Sequence, residues 1–179
     1  MRTTSFTLTA GALAAALLLA GCDSGGDEDG AGSAGKSGGS GGACALGTLR
    51  AEVGPVDAAP AAGDNGNVTV TLTNTGGSDC TLQGFPEVTL RAGDASAAVL
   101  PSEVTAHQLT VPAAGTASFT VGYTRGAAGE ERSLAVKTVE FSLPGAAKTQ
   151  DFPWSYGDVA LRGEGVPEAS VSPFQQAGD

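Results

Sequence analysis

Three cysteines, one histidine and a scatter of carboxylates are the side chains here able to do covalent, metal or proton-transfer chemistry. Cys22 is the best placed of them. It follows Leu19-Ala20-Gly21 at the end of the apolar run Gly11 to Ala20 and opens onto a tract of Gly, Ser, Asp and Glu. Lipoprotein signal peptidase cuts before a cysteine that already carries diacylglycerol, and needs small residues just upstream so that the backbone fits its active site. The pattern predicts a lipobox, cleavage after Gly21 and lipid on Cys22. Arg2 ahead of the apolar run completes an export signal. That run is about half the roughly 20 residues a spanning helix requires, so the lipid rather than an uncleaved helix is the expected anchor. The plain alternative is an ordinary cysteine after a secretory signal.

Other chemistry-bearing patterns carry less. Gly30-Ala31-Gly32-Ser33-Ala34-Gly35-Lys36-Ser37 matches the P-loop letters G-x-x-x-x-G-K-[ST]. A working P-loop follows a buried strand and leads into a helix whose amino terminus receives the phosphates. Acid-rich chain precedes this stretch and Gly38-Gly39-Ser40-Gly41-Gly42 follows, so no nucleotide is expected, and the elbow-like G-x-S-x-G letters fail for the same reason. His107 is the only histidine, which leaves nothing for a two-histidine metal site and reads as a surface or strand residue. Glu130-Glu131, Asp151 and Asp158 lack the D-x-D-x-D arrangement of a calcium loop and read as solvated surface. No cofactor or metal is expected, and an enzyme is the least favoured class.

Two surfaces remain as weak ligand candidates. Phe152-Pro153-Trp154-Ser155-Tyr156 concentrates three of the nine aromatic residues, and Trp154 with Tyr156 could stack on an envelope sugar. A small sandwich also needs bulky side chains to close its ends, and packing is the first reading. Thr69, Thr71 and Thr73 could likewise line a polysaccharide surface, with a plain wet strand face as the first reading.

Charge narrows the partners. The chain carries a formal charge of −10, and removal of residues 1–21 deletes only Arg2, leaving 8 basic against 19 acidic residues and about −11. Nucleic acid requires clustered Lys and Arg and is excluded. The remaining partners are the membrane, through the lipid on Cys22, and an envelope protein or wall polymer.

The elements that must carry these residues divide the chain into three parts: residues 1–21 as signal peptide, 22–43 as lipidated cysteine plus linker, and 44–179 as one domain. Asp23 to Ala43 holds no large apolar residue to bury and predicts a flexible tether, with a reach of roughly 25 Å as a coil. From Cys44 the texture becomes short alternating runs between turn residues. Val68-Thr69-Val70-Thr71-Leu72-Thr73 has period 2, with Asn65-Gly66 before it and Asn74-Thr75-Gly76-Gly77 after it. Further strands are expected at Thr48 to Val53, Thr81 to Leu82 with Val88 to Arg91, Ala97 to Leu100, Val104 to Val111, Ala117 to Tyr123, Val136 to Leu143, Asp151 to Trp154, Val159 to Leu161 and Ala169 to Val171. With no amphipathic helix among them, the fold class is all-β, a sandwich of about 7 to 9 short strands. Phe119, Val121 and Tyr123 should point inward, as should Val139, Phe141 and Leu143.

The stretch Leu72-Thr73-Asn74-Thr75-Gly76-Gly77-Ser78-Asp79-Cys80-Thr81-Leu82-Gln83-Gly84-Phe85-Pro86-Glu87-Val88-Thr89-Leu90 resembles domain-of-unknown-function family 4232, carried by exported lipoproteins of high-GC Gram-positive bacteria. Val111-Pro112-Ala113-Ala114-Gly115 and Val171 to Phe174 extend the resemblance over most of residues 44–174. It implies an immunoglobulin-like β-sandwich of unestablished activity. Many members look to have a second cysteine pair in the later half, absent here, so the carboxy-terminal part is expected to be looser or differently packed. The matching residues read as structural: Asn74 bonding backbone at a turn, Gly76 or Gly77 supplying positive φ, and Gly84-Phe85-Pro86 turning the phenyl ring inward.

Three cysteines less the lipidated Cys22 leave a pair in an oxidising compartment, which predicts a Cys44–Cys80 disulfide. The functional expectation is a membrane-anchored extracytoplasmic lipoprotein whose sandwich is a non-catalytic binding or structural module. The alternatives are a polysaccharide-binding module or a protease inhibitor presenting Arg125 to Glu131.

Overall fold

The computed structural model describes residues 41–177, which lie in one compact unit. Cys22, the expected signal peptide and Lys36 with its P-loop letters lie outside the described residues. A 3₁₀ turn at Leu46–Thr48 precedes β1 (Leu49–Asp57), β2 (Asn65–Asn74), β3 (Cys80–Leu82), β4 (Glu87–Ala92), β5 (Ala95–Pro101), β6 (Leu109–Val111) and β7 (Thr116–Thr124). Then follow β8 (Ser133–Leu134), β9 (Thr138–Ser142), β10 (Thr149–Pro153), β11 (Val159–Gly163), β12 (Val166–Pro167), β13 (Ala169–Val171) and β14 (Gln175–Gln176). The fold is all-β and sandwich-like.

Alternation builds both layers. In β2 every second residue is buried, with Val68, Val70 and Leu72 fully inside, because the pleat sends successive side chains to opposite faces. β7 repeats the pattern, and the register Val68↔Val121, Val70↔Phe119 and Leu72↔Ala117 sets the two apolar stripes side by side. β1 and β13 flank this pair, completing one layer in the order β1-β2-β7-β13. The second layer runs β5-β4-β9-β10, with Val88 opposite Phe141 and Leu90 opposite Val139. The layers meet where the Phe119 and Phe141 rings stand 5.2 Å apart. Burying side chains of this size stabilises by about 1.5–3 kcal/mol each, which makes this seam the main apolar contribution.

β5 joins the layers. Most of it pairs with β4, but Leu100 and Pro101 pair in parallel with Ser170 and Val171 of β13, so one hydrogen-bonded path turns the sandwich edge. Smaller ladders cap it: β3 with β6, and β11 between β12 and β8.

Every expected strand segment contains a strand. β8, β12 and β14 were not expected, since two residues are too short for any periodicity to register. Four other expectations change. Val104 to Val111 forms a strand only at Leu109–Val111; Val104 is exposed, and Ala106 and His107 give the segment no apolar stripe to bury. The domain begins before Cys44: Thr81 donates to the Gly42 carbonyl and Cys44 donates to that of Thr81, so the last two expected linker residues belong to the fold. Gly76 and Gly77 do not adopt positive φ. Phe85 is only half-buried and Pro86 is buried instead; Phe174, whose amide donates to the Gly84 carbonyl, is buried edge-on against Phe119 at 6.1 Å.

Candidate functional site

Alternation that buries one face of each layer exposes the other, and both outer faces carry an Arg–Glu pair: Arg50 with Glu52 on β1, opposite Thr73 and Thr71, and Arg91 with Glu140 on the second layer. On β4 and β9 the outward residues include Glu87, Arg91 and Glu140, and Arg91 donates to both Glu140 oxygens from Nε at 3.2 Å and Nη2 at 2.9 Å. That hydrogen bond, with the carboxylate charge behind it, holds the Arg91 pKa above its ordinary value. A guanidinium is charged at any accessible pH in either case.

The face of β2 and β7 carries no charge. Asn65, Asn67, Thr69, Thr71 and Thr73 point outward from β2, and Thr116, Thr120, Gly122 and Thr124 from β7, while Ser118 on the same side of β7 is buried. The hydroxyls of Thr69 and Thr120 bond one another across the ladder at 3.2 Å. At Gly122 this carpet is interrupted, and a cleft of about 300 Å³ opens over the bare backbone. A Cβ at Gly122 would lie 3.3 Å from Asn67 Oδ1 and 3.6 Å from Ser170 Oγ, so these two groups form its walls. Asn65, whose Oδ1 accepts from Thr124 Oγ1 at 3.1 Å, closes one end with Arg162 and Glu168. Glycine inside a strand costs roughly 0.5–1 kcal/mol relative to alanine, and often marks a point of close approach by another molecule. The one signal of this cleft in the sequence is a glycine where the threonine alternation of β7 calls for a side chain.

The aromatic candidates lie elsewhere. Trp154 is 6% exposed and sits between the rings of Tyr123, at 4.9 Å, and Tyr156, at 4.8 Å, both edge-on. Its Nε1 donates to the Gly157 carbonyl at 2.7 Å. The stacking surface considered for Trp154 and Tyr156 is therefore corrected: an indole this buried offers no open face to a sugar, and Tyr156 is half-buried against it. Tyr123 Oη accepts from the Ala59 amide and donates to the Tyr156 carbonyl, tying the β1–β2 connection to this cluster. Gly66 permits the approach, since a Cβ there would fall 2.6 Å from the Tyr123 ring.

Arg125 is drawn into the same end, with Nη1 donating to the carbonyls of Ala59 at 2.8 Å and Pro60 at 3.0 Å. The segment after it folds back on itself, with Glu130 N donating to Ala127 O and Ser133 N to Glu130 O. His107, Glu130, Glu131 and Asp151 are exposed and Asp158 half-buried, and the structure brings no three of the His, Cys, Asp and Glu side chains into a metal-binding group among the described residues.

At the opposite end of β2, Asn74 is 1% exposed. Its Nδ2 donates to the carbonyls of Ser78, Val111 and Pro112 at 2.9, 3.1 and 3.1 Å, and its Oδ1 accepts from the Gly76 amide. Cys44 and Cys80 are disulfide-bonded beside it, closing a separation of 36 residues. A family model described as Domain of unknown function (DUF4232) matches residues 44–175. The chain belongs to this family. No curated protein matches it.

In DUF4232 terms, the motif around Asn74, Cys80 and Gly84 builds one end of the sandwich. Gly84 has φ +82° and turns the chain from β3 into β4. Gly76 is needed for room, as a Cβ would lie 3.1 Å from Asn74 Oδ1. None of the cleft residues Asn67, Gly122 and Ser170 falls in that motif. The family match over residues 44–175 nevertheless spans all three of them.

Proposed function

We propose that this protein is a membrane-anchored extracytoplasmic lipoprotein, lipidated on Cys22, whose sandwich is a non-catalytic module that binds a wall polymer or envelope protein. The tether rests on Leu19-Ala20-Gly21-Cys22 and the Gly/Ser chain after it. The binding role rests on one observation: in a chain of net charge −10, the outward residues of β2 and β7 are all amides, hydroxyls or glycine. Charge is depleted at the centre of recognition surfaces because desolvating it is costly. An acidic protein that needed only solubility would scatter carboxylates over these two strands as it does on β4 and β9 and, beside them, at Glu52 of β1.

That surface favours a polymer rich in hydroxyls over the protease-inhibitor alternative. An inhibitory loop presents an extended segment to a protease cleft, whereas Arg125 is spent on the Ala59 and Pro60 carbonyls and residues 127–133 are closed by internal turns.

Cross-linking on intact cells, followed by pull-down of the full chain and metabolic lipid labelling, tests the reading. Wild type should be labelled, membrane-bound and linked to wall polymer or an envelope partner. Cys22→Ala should accumulate as unlabelled precursor. Lipid-labelled mature protein from that variant would overturn the tether, and turnover of a hydrolase substrate by purified protein would overturn the non-catalytic role.

A further inference from the structure

We infer that the cleft over Gly122 is a binding site for a single neutral sugar ring of a glycan. The inference rests on the reading of the domain as a binding module and gives that module its site and ligand class. Three strands distant in sequence meet there. β7 supplies the floor, β2 the Asn67 wall and β13 the Ser170 wall. The volume of about 300 Å³ lies at the lower end of the range of about 300–1,000 Å³ in which proteins hold small molecules.

The groups around it are those that recognise vicinal hydroxyls. Asn67 Oδ1 and Ser170 Oγ converge above the floor, and each can accept from a ligand hydroxyl. The Asn65 carbonyl is engaged by Thr124 Oγ1, which leaves its amide nitrogen to donate. Arg162, placed at the rim by a bond of 3.4 Å from Nη2 to the Ala169 carbonyl, and Glu168 add one donor fork and one acceptor of opposite charge. Their charges cancel, so the site favours a neutral polyol over a phosphate polymer, which the acidic chain as a whole would also repel. A flat, open cleft without a stacking ring predicts weak binding per ring, multiplied along a polymer by repetition.

Gly122 makes the test clean. The nearest atoms to an added Cβ are ends of exposed or half-exposed side chains, and φ there is not in the left-handed region, so alanine fits the fold while filling the cleft floor. The full-length chain in sugar-free zwitterionic micelles is titrated with methyl glycosides of glucose, galactose, mannose, arabinose and N-acetylglucosamine, with glycerol phosphate and trialanine as competing classes. Amide chemical shifts are the readout. At least one glycoside should shift Asn67, Gly122 and Ser170 saturably, with a Kd of about 1 mM. Gly122→Ala should keep the melting temperature and weaken binding at least tenfold, while Thr89→Ala on the other face changes nothing. Should Gly122→Ala melt lower, Ser170→Ala gives the same comparison from the cleft wall. No saturable shift with any glycoside, binding retained in both cleft variants, or a cleft that answers only glycerol phosphate or trialanine would each overturn the inference. If Gly122→Ala cells still yield the cross-linked envelope partner, the module stands and the cleft falls; if cross-linking fails for wild type while the glycoside binds, the reverse holds.

Discussion

The two ends of the β2–β7 pair close the sandwich by different physics. At the Asn74 end a covalent bond, Cys44–Cys80, and one buried amide with four hydrogen bonds hold the entry strap, β3 and β6 together. At the Asn65 end there is no cross-link among the described residues. Three stacked aromatics, the Tyr123 hydroxyl bridging Ala59 and Tyr156, and Arg125 on two carbonyls serve instead. The comparison teaches that an end lacking a second cysteine pair need not be loose. Edge-to-face rings contribute about 0.5–1.5 kcal/mol per pair beyond the area they bury, and each buried hydrogen bond about as much again.

The largest expected effect strikes the aromatic end. Trp154→Ala removes the central ring of the stack and should destabilise by about 3–5 kcal/mol, the range for a buried aromatic truncated to alanine. Denaturant unfolding reads it directly, and in melting it corresponds to roughly 3 to 5 °C per kcal/mol. A loss below about 1 kcal/mol would mean that this end is not held by its rings.

Cys80→Ser comes next, at about 3–4 kcal/mol from releasing a closed loop of 36 residues in the unfolded chain. Because the two ends are separated by the length of a ten-residue strand, roughly 30 Å, Trp154→Ala and Cys80→Ser should add within about 0.5 kcal/mol. Coupling well above that would merge the two ends into one cooperative unit. Hydrogen exchange under a reductant sharpens the contrast: the amides of Cys44 and Thr81 should lose protection while that of Ala59 keeps it.

Asn74→Ala should cost about 2–3 kcal/mol, since it leaves the Val111 carbonyl buried without this partner and frees the turn at Gly76. The smallest effect is expected from Tyr123→Phe, about 1–2 kcal/mol, because the ring remains and only the Ala59 and Tyr156 bonds go. If Tyr123→Phe matched Trp154→Ala, the hydroxyl bridge rather than the stack would close that end.

Local chemistry made much of this legible in advance. Val68, Val70 and Leu72 alternate with threonines, and alternation has one structural meaning in a strand with one wet face. Asn74 before two glycines spells a side chain that bonds its own turn, and a pair of cysteines in a chain read as exported spells a bond. Where local reading failed, a distant partner decided. Phe85 stays half-buried while Phe174, from the far end of the domain, packs on Phe119, and Trp154 is covered by a tyrosine 31 residues earlier in the chain. Arg125, read as the start of an exposed loop, is captured by carbonyls of the β1–β2 connection.

The sequence by itself determined the β class, the single disulfide, the family and the face each strand residue would present, because those depend on neighbours one to a few positions away or on counting. The tertiary structure alone decided the order β1-β2-β7-β13, the turn of β5 from one layer to the other, and the cleft over Gly122. Asn67, Gly122 and Ser170 are 55 and 48 residues apart along the chain and become neighbours only through ladder register. Register is a property of pairs of strands, set by which apolar stripes fit together in the core, and no window along one strand contains it.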